Sequence, residues 1–441
     1  MLSSASSGLI VAKVSKNPLS AKQLRTASAV SVCKGECHES GEVLLQPGSR
    51  QEYIVQFAFE SCPMVDWENM KKLSALFVLL FVSGLLLAQS TPQQQSQPQS
   101  PAQPQQPPPA KSQVDPLPDP ISNNAVAALK VHWQLLLFSF MGMGAKKTGD
   151  AITNTAFSLD ATEGNWSAIH PVPGTAGRIG AMAAGVREQL YLFGGYVVYA
   201  QGGEMVVPDV GAYQPSHDRW FRSADIPKPV ADSVIGVYRD RYVYLVGGRS
   251  NAGVVNNVQV YDVEKDKWSQ ATPIPGPAVF GHAGGLVGET IVYVDGAREN
   301  PSGNPKYVAS DECWMGKIDH HDRTKIQWTK LPNHPGTARY RIAGGGSETD
   351  EKIYFAGGTD NPYDYNGIGF DGKPSEPSAV TFDFNLRTKK WETINDNTPD
   401  PTMDHRGLLV THEGLVLIGG METGQKVTAR VTLLSKEPKA K

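Results

Sequence analysis

Five tryptophans open the same phrase at intervals of 54, 48, 60 and 63 residues, and that repetition constrains the fold more than any other feature of the chain. Trp166, Trp220, Trp268, Trp328 and Trp391 each begin or lie in a short strand-like run that ends in a Pro-rich or polar turn. A run of small residues follows: 180–186 (GAMAAGV), 233–238 (SVIGVY), 282–287 (HAGGLV), 342–346 (IAGGG) and 407–411 (GLLVT). After a polar turn comes a hydrophobic run closed by two glycines: Gly194-Gly195, Gly247-Gly248, Gly357-Gly358 and Gly419-Gly420. The fourth copy reads Asp295-Gly296 instead. The next run alternates apolar and polar residues, as in 258–268 (VQVYDVEKDKW) and 379–391 (AVTFDFNLRTKKW), which is the period-two pattern of a half-buried strand. Each copy therefore predicts four strands.

A sixth copy is worn but readable. Residues 111–120 (KSQVDPLPDP) match 268–276 (WSQATPIPG), 125–131 is the small-residue strand, 135–138 the hydrophobic one, and 151–160 with Trp166 completes the unit. The glycine doublet is missing, and Ser139-Phe140 is read into its register. The last copy has three strands, ending at 431–434, and residues 111–115 are expected to supply its fourth. Repeats of this size bury their hydrophobic faces only by stacking, and closing the array removes exposed strand edges. The prediction is an all-β, six-bladed β-propeller over 111–436, closed by an N-terminal strand completing the C-terminal blade, with 437–441 as a tail.

Glycine doublet, spaced Tyr or Phe, and tryptophan together resemble the kelch repeat, whose period is about 50 residues. Within the galactose oxidase/kelch superfamily, the copy number, the leader described below and the Gly-rich 342–358 stretch are similar to the bacterial N-acetylneuraminate epimerases, or sialic acid mutarotases. That resemblance implies a basic glutamate just after the glycine of the fourth copy's second strand. Ala297 stands there, with Arg298 and Glu299 beside it. The copper chemistry of the superfamily's oxidases implies a cysteine cross-linked to tyrosine; Cys313, the only cysteine after residue 62, lacks the flanking pattern and reads as a buried small hydrophobe. No cofactor or metal is expected. His320-His321 between Asp319 and Asp322 reads as a turn, since neighbours on a strand face opposite ways.

The first 110 residues differ in composition. Met70-Lys71-Lys72 precedes an apolar run to Leu87 and a small-residue exit at Ala88–Ser90, so 70–90 reads as a signal peptide that is too short to cross a bilayer. Met70 is then the natural start, with 1–69 an upstream or disordered extension. Residues 91–110 are a Pro/Gln-rich linker without apolar side chains large enough to fold. The expected product is periplasmic or secreted, monomeric, and without a membrane span in its mature form. A net charge of −3 offers no basic field for nucleic acid.

In a propeller, loops entering first strands and leaving second strands share one face around the central channel, the default ligand site. The former supply Arg178, Asp232, His282, Arg341, His405 and Arg406; the latter supply Arg249, Arg298, Glu299, Asp360, Asn361 and Glu422. Arginine clamps carboxylates, and Asp or Asn accepts from hydroxyls, so the set suits a sugar acid or a polyhydroxyl ligand. The long 359–377 loop adds Tyr363 and Tyr365 for stacking. His282 is the candidate for proton transfer, with Glu299 or Glu422 as its carboxylate partner. Two functions fit: a binding module for a carbohydrate or an envelope protein, and a carbohydrate-active enzyme of mutarotase type.

Overall fold

Each alternating copy folds into an antiparallel blade. The computed structural model describes residues 114–131, 134–174 and 176–438 in full. Nearer the N-terminus it describes the backbone of Ile10–Ser15, Val43–Pro47 and Glu52–Phe57, which pair in the order first, third, second. That sheet lies in a unit spanning Met1–Gln106, separate from Pro107–Lys441. The expected signal peptide 70–90, linker 91–110, residues 111–113, Trp133 and residues 439–441 lie outside the described residues.

Blade 1 comprises Ala125–Val131, Gln134–Gly144, Ile152–Asp160 and Trp166–Ala168, and blade 2 comprises Met182–Val186, Gln189–Phe193, Val210–Gln214 and Arg219–Ser223. Blade 3 follows with Val234–Tyr238, Tyr242–Val246, Val258–Asp262 and Lys267–Ala271, and blade 4 with Ala283–Val287, Thr290–Val294, Cys313–Ile318 and Ile326–Lys330. Blade 5 is Ala343–Ser347, Lys352–Ala356, Thr381–Asn385 and Lys390–Asn395. Blade 6 keeps three strands, Leu409–Val410, Leu415–Ile418 and Val431–Leu434. Among the described residues the only helical turns are three short 3-10 segments. The protein is thus an all-β, six-bladed propeller.

The repeat tryptophans fasten each blade to its predecessor. The indole N–H of Trp220 donates to the His170 carbonyl (2.8 Å), Trp268 to Ala224 (2.9 Å), Trp328 to Thr272 (3.2 Å) and Trp391 to Pro332 (2.8 Å). Trp166 donates to Asp115 (3.0 Å), so the N-terminal segment stands where a preceding blade's last strand would exit. Leu117 N–H donates to the Ala429 carbonyl of blade 6 at 2.8 Å, as Ile274 does to Asn256 in blade 3. Leu117 and Ile121 pack with Leu409, Val416 and Ile418. This segment links blade 6 to blade 1, whereas the closing strand expected at 111–115 is not seen: 111–113 lie outside the described residues, and Val431–Leu434 is the edge strand of blade 6 among those described.

The glycine doublets work at close approach. A Cβ on Gly357 would lie 2.2 Å from the Thr402 carbonyl, and one on Gly248 2.3 Å from Ser233 Oγ; both glycines have positive φ. Asp295 occupies the first position in blade 4 at φ 64. Its carboxylate accepts from the Arg339 N–H (2.8 Å) and bonds His334 Nε2 (2.7 Å), so a side chain excluded elsewhere serves here as a hook into blade 5. Blade 1 corrects the sequence reading: Ala125 pairs with Phe140 as Met182 does with Phe193, which puts Met141-Gly142, both at positive φ, in the doublet register. Ser139-Phe140 lies two residues early, because a bulge between Phe140 and Gly142 shifts the register of a longer strand. Cys313 is fully buried at the start of its strand. Asp319 Oδ1 accepts from the His321 and Asp322 amides, which makes the two-histidine segment a capped turn.

Candidate functional site

Two residues before the first strand in blades 1 to 5, and five before the short first strand of blade 6, stand Asn123, Gly180, Asp232, Gly281, Arg341 and Asp404, all with φ between 49° and 71°. The conformation turns each backbone inward so that neighbours bond around the axis. Asp232 N–H donates to Gly180 O (2.8 Å), Gly281 to Asp232 (2.8 Å), Arg341 to Gly281 (2.7 Å) and Asn123 to Asp404 (3.0 Å). His405 N–H reaches Arg341 O (3.2 Å), and Gly180 N–H donates to the Asn123 side chain (2.6 Å), which completes the circuit. Gly, Asn and Asp are the residues that tolerate this left-handed region, so Arg341 is the exception.

Its side chain holds it there. Arg341 is 1% exposed and pairs with Asp232 (3.0 Å) and Asp404 (3.1 Å). It also donates to Tyr196 Oη (3.3 Å) and the Asp364 carbonyl, and its guanidinium lies about 5 Å from the ring centres of Tyr340 and Tyr363. Arg406 binds the other oxygen of Asp232, while Asn123 donates to Asp404 (2.8 Å). Burial opposes ionisation of Asp232, and the Arg341 and Arg406 charges overcome it, holding the carboxyl down at about 2. Asp232, Arg341 and Arg406 were legible as candidates and are brought together; Asn123, Tyr196, Tyr340 and Asp404 were missed. The Asn/Asp/Gly column ahead of the small-residue strands was the available signal.

The long blade 5 loop covers this ring. Tyr363 is buried in a cluster with Phe280, Tyr340, Met403 and Met421. Phe370 meets Tyr307 of the blade 4 hairpin edge-on at 4.9 Å, and Gln425 of blade 6 donates to Ser375 O (2.9 Å). Tyr365 packs against the cluster that holds Tyr196 and Val206 of blade 2, three blades away across the axis. The loop is a plug over the channel mouth. Beside it Arg249 stacks on Tyr196 (4.7 Å) and pairs with Glu204. Asp364 faces Glu204, and burial followed by that neighbouring charge pushes its carboxyl up to about 7.

The remaining candidates lie apart. Arg178 is 3.8 Å from Asp209; Glu422 pairs with Arg430 (3.2 Å) and Lys426 (3.7 Å). Asn361 donates to Asp371 (3.0 Å), and Asp360 is exposed next to it. Arg298 and Glu299 lie on the hairpin Ala297–Glu299 with Tyr307–Ala309, Glu299 exposed against Gly253 of the neighbouring hairpin. His282 sits between blades: a Cβ on Gly247 would lie 3.0 Å from its Cε1, and its ring meets Tyr293 edge-on. His405 repeats that placement two blades on, its Cδ2 3.7 Å from where a Cβ on Gly357 would stand, and bonds Thr402 Oγ1 (2.9 Å). Burial pushes His282 down to about 3 and His405 to about 4, so both imidazoles are neutral at physiological pH, unlike the ordinary value assumed for proton transfer.

Below the ring, the first strands enclose a channel cavity of about 210 Å³. Its walls are largely backbone. A Cβ on Gly345 would lie 2.2 Å from Leu408 O, and one on Gly285 2.8 Å from Gly346 N, so the Gly-rich strands 283–287 and 343–347 exist to let strands meet at the axis.

Comparison with known proteins agrees with this architecture. Residues 126–358 match the family model described as the KLHDC2/KLHL20/DRC7 Kelch-repeats domain. The chain is 30% identical over 159 residues to the Kelch-like protein terF of Aspergillus terreus (strain NIH 2624 / FGSC A1156), covering 34% of this chain and 29% of that protein, so it spans less than a third of that relative. Among solved structures, the one titled "Structure of YjhT" superposes with a TM-score of 0.58 at 18% identity, covering 73% of this chain and 97% of the other, a likeness of fold. With the family model matching over half of its length and six blades built from the repeat, the chain belongs to the kelch-repeat β-propeller family.

Proposed function

We propose that this propeller is a binding module that engages a carbohydrate or an envelope protein through its plugged loop face, working as a monomer outside the cytoplasm. The observation that carries the reading is the state of the axial charges. Arg341, Asp232, Asp404 and Arg406 are bonded to one another and buried beneath the plug, which leaves no acid and base facing each other across an open channel. The face also presents apolar side chains: Tyr199 and Met205 on the blade 2 hairpin, their Oη and Sδ 3.5 Å apart, and Ile368 on the plug are all among the exposed large hydrophobic residues. A tyrosine beside a methionine suits a sugar face or a protein side chain equally well.

The test is a screen of glycans, sialic acids and envelope extracts against the purified protein, with thermal shift and cross-linking as readouts. Tyr199→Ala with Met205→Ala is expected to weaken the captured ligand by roughly ten- to a hundredfold, the range for truncating central aromatic anchors. Unchanged binding would move the site off this face. Anomeric exchange of a bound sugar accelerated in NMR would replace the binding reading with the mutarotase one.

Export rests on the Met70–Ser90 leader pattern. Expression with its own leader is expected to give a mature N-terminus close to residue 89 or 91 in the extracytoplasmic fraction, read by N-terminal sequencing. An uncleaved cytoplasmic product would sink the proposal.

A further inference from the structure

The plug crosses from blade 5 to blade 2, and the contact at its far end is between two acids. Glu204 stands on the hairpin Glu204–Val206 with Tyr196–Val198, and Asp364 stands in the plug between Tyr363 and Tyr365. Glu204 Oε1 and Asp364 Oδ1 are both buried, and no donor from the protein reaches either one. Two carboxylate oxygens facing each other without a donor are stable only if a proton lies between them, since like charges at that range cannot both be ionised. The two arginines nearest the pair are bonded elsewhere. Arg249 pairs with the other side of Glu204, and Arg341 with Asp232, Asp404 and the Asp364 main chain.

We propose that the Asp364–Glu204 pair is a proton-operated latch: while it shares a proton the plug is pinned across the channel mouth, and loss of that proton releases the plug and uncovers Arg341. This regulation rests on the reading of the loop face as the binding face.

The groups packed around the pair leave Asp364 as the titrating one. From blade 3 come Arg249 and Asp232, from blade 2 Tyr196 and from blade 5 Arg341, while Asp404 and Arg406 of blade 6 act on the neighbouring Tyr363. Asp232 remains ionised down to about 2, and burial holds the Tyr196 phenol well above its ordinary range. With the plug open, Asp364 is solvated and titrates at its ordinary value near 3.8; with the plug closed it titrates at about 7. The closed form therefore binds the extra proton between these limits. Its advantage is greatest in acid and falls by up to about tenfold per pH unit as pH rises to about 7, then stays level.

Hydrogen exchange over 359–377, corrected for the intrinsic rate, tests this on the full chain. Protection is expected to fall at least about tenfold between pH 5 and pH 7. Asp364→Asn, whose amide can donate to Glu204 at every pH, is expected to keep the plug protected across that range; Glu204→Gln serves the same purpose should the first variant fold poorly. Protection that does not change with pH in the unaltered protein, or an identical fall in both variants, overturns the latch. Ligand capture by the Tyr199→Ala, Met205→Ala variant is measured in parallel. A lost pH response with capture still dependent on these residues defeats the latch alone, whereas capture independent of them defeats the binding-face reading alone.

Discussion

Replacing Arg341 with alanine is expected to destabilise the propeller by about 3–5 kcal/mol, the usual range when one partner of a buried ion pair is removed. The reason is what remains. Asp232 and Asp404 are each 1% exposed or less, and both lose the guanidinium that lies about 3 Å away. Arg406 and Asn123 retain one contact each with these acids, so the loss stops short of two uncompensated charges. Lysine is a poor substitute, because a single ammonium cannot span two carboxylates and a phenol as the planar fork does. Arg341→Met would separate charge from bulk: it keeps most of the volume between Tyr340 and Tyr363 and should still cost most of the alanine loss. Urea unfolding followed by tryptophan fluorescence measures all three variants. A loss below about 1 kcal/mol for alanine would mean that the axial network is dispensable.

The second large effect is expected at a glycine. Gly357→Ala places a Cβ 2.2 Å from the Thr402 carbonyl while also requiring φ +71° of an L-residue. Left-handed strain of about 1–2 kcal/mol and overpacking of about 1–3 kcal/mol act together, because the obstruction is backbone belonging to the next blade. The expected loss is about 2–5 kcal/mol by the same unfolding assay. Asp295→Gly is the informative contrast. It installs the glycine that other blades carry, yet it strips His334 Nε2 and the Arg339 amide of their acceptor. A cost of about 1–3 kcal/mol is expected there, the usual penalty for orphaned buried donors. If Asp295→Gly stabilised the protein instead, the blade 4 exception would be a tolerated defect and the hook assignment would fall.

The strands and their order in each blade were legible because each depends on local pattern. Period-two alternation decides which face of a strand is buried whatever surrounds it, and the tryptophan phrase recurs because every blade meets its neighbour in the same way. The alignment of Asp115 and Leu117 with Thr272 and Ile274 held in the hydrogen bonds each makes. The worn blade 1 was misread at one point, since a bulge after Phe140 leaves no mark in composition.

The site was only half legible. Asp232, Arg341 and Arg406 could be picked out by their place ahead of the first strands, but their meaning could not, because a charged loop residue reads the same whether it faces water or another charge. Pairing across the axis joins residues 109 positions apart in Arg341 and Asp232, and 160 apart in Asp364 and Glu204. No local pattern encodes contacts of that range. Sequence alone therefore determined a six-bladed kelch propeller and, in Asp232, Arg341 and Arg406, part of the ring where its blades approach the axis. Tertiary structure alone decided that these residues lock into a bonded ring, that blade 5 covers it, and that two acids on opposite blades meet, since burial and charge pairing arise only when distant segments share the same space.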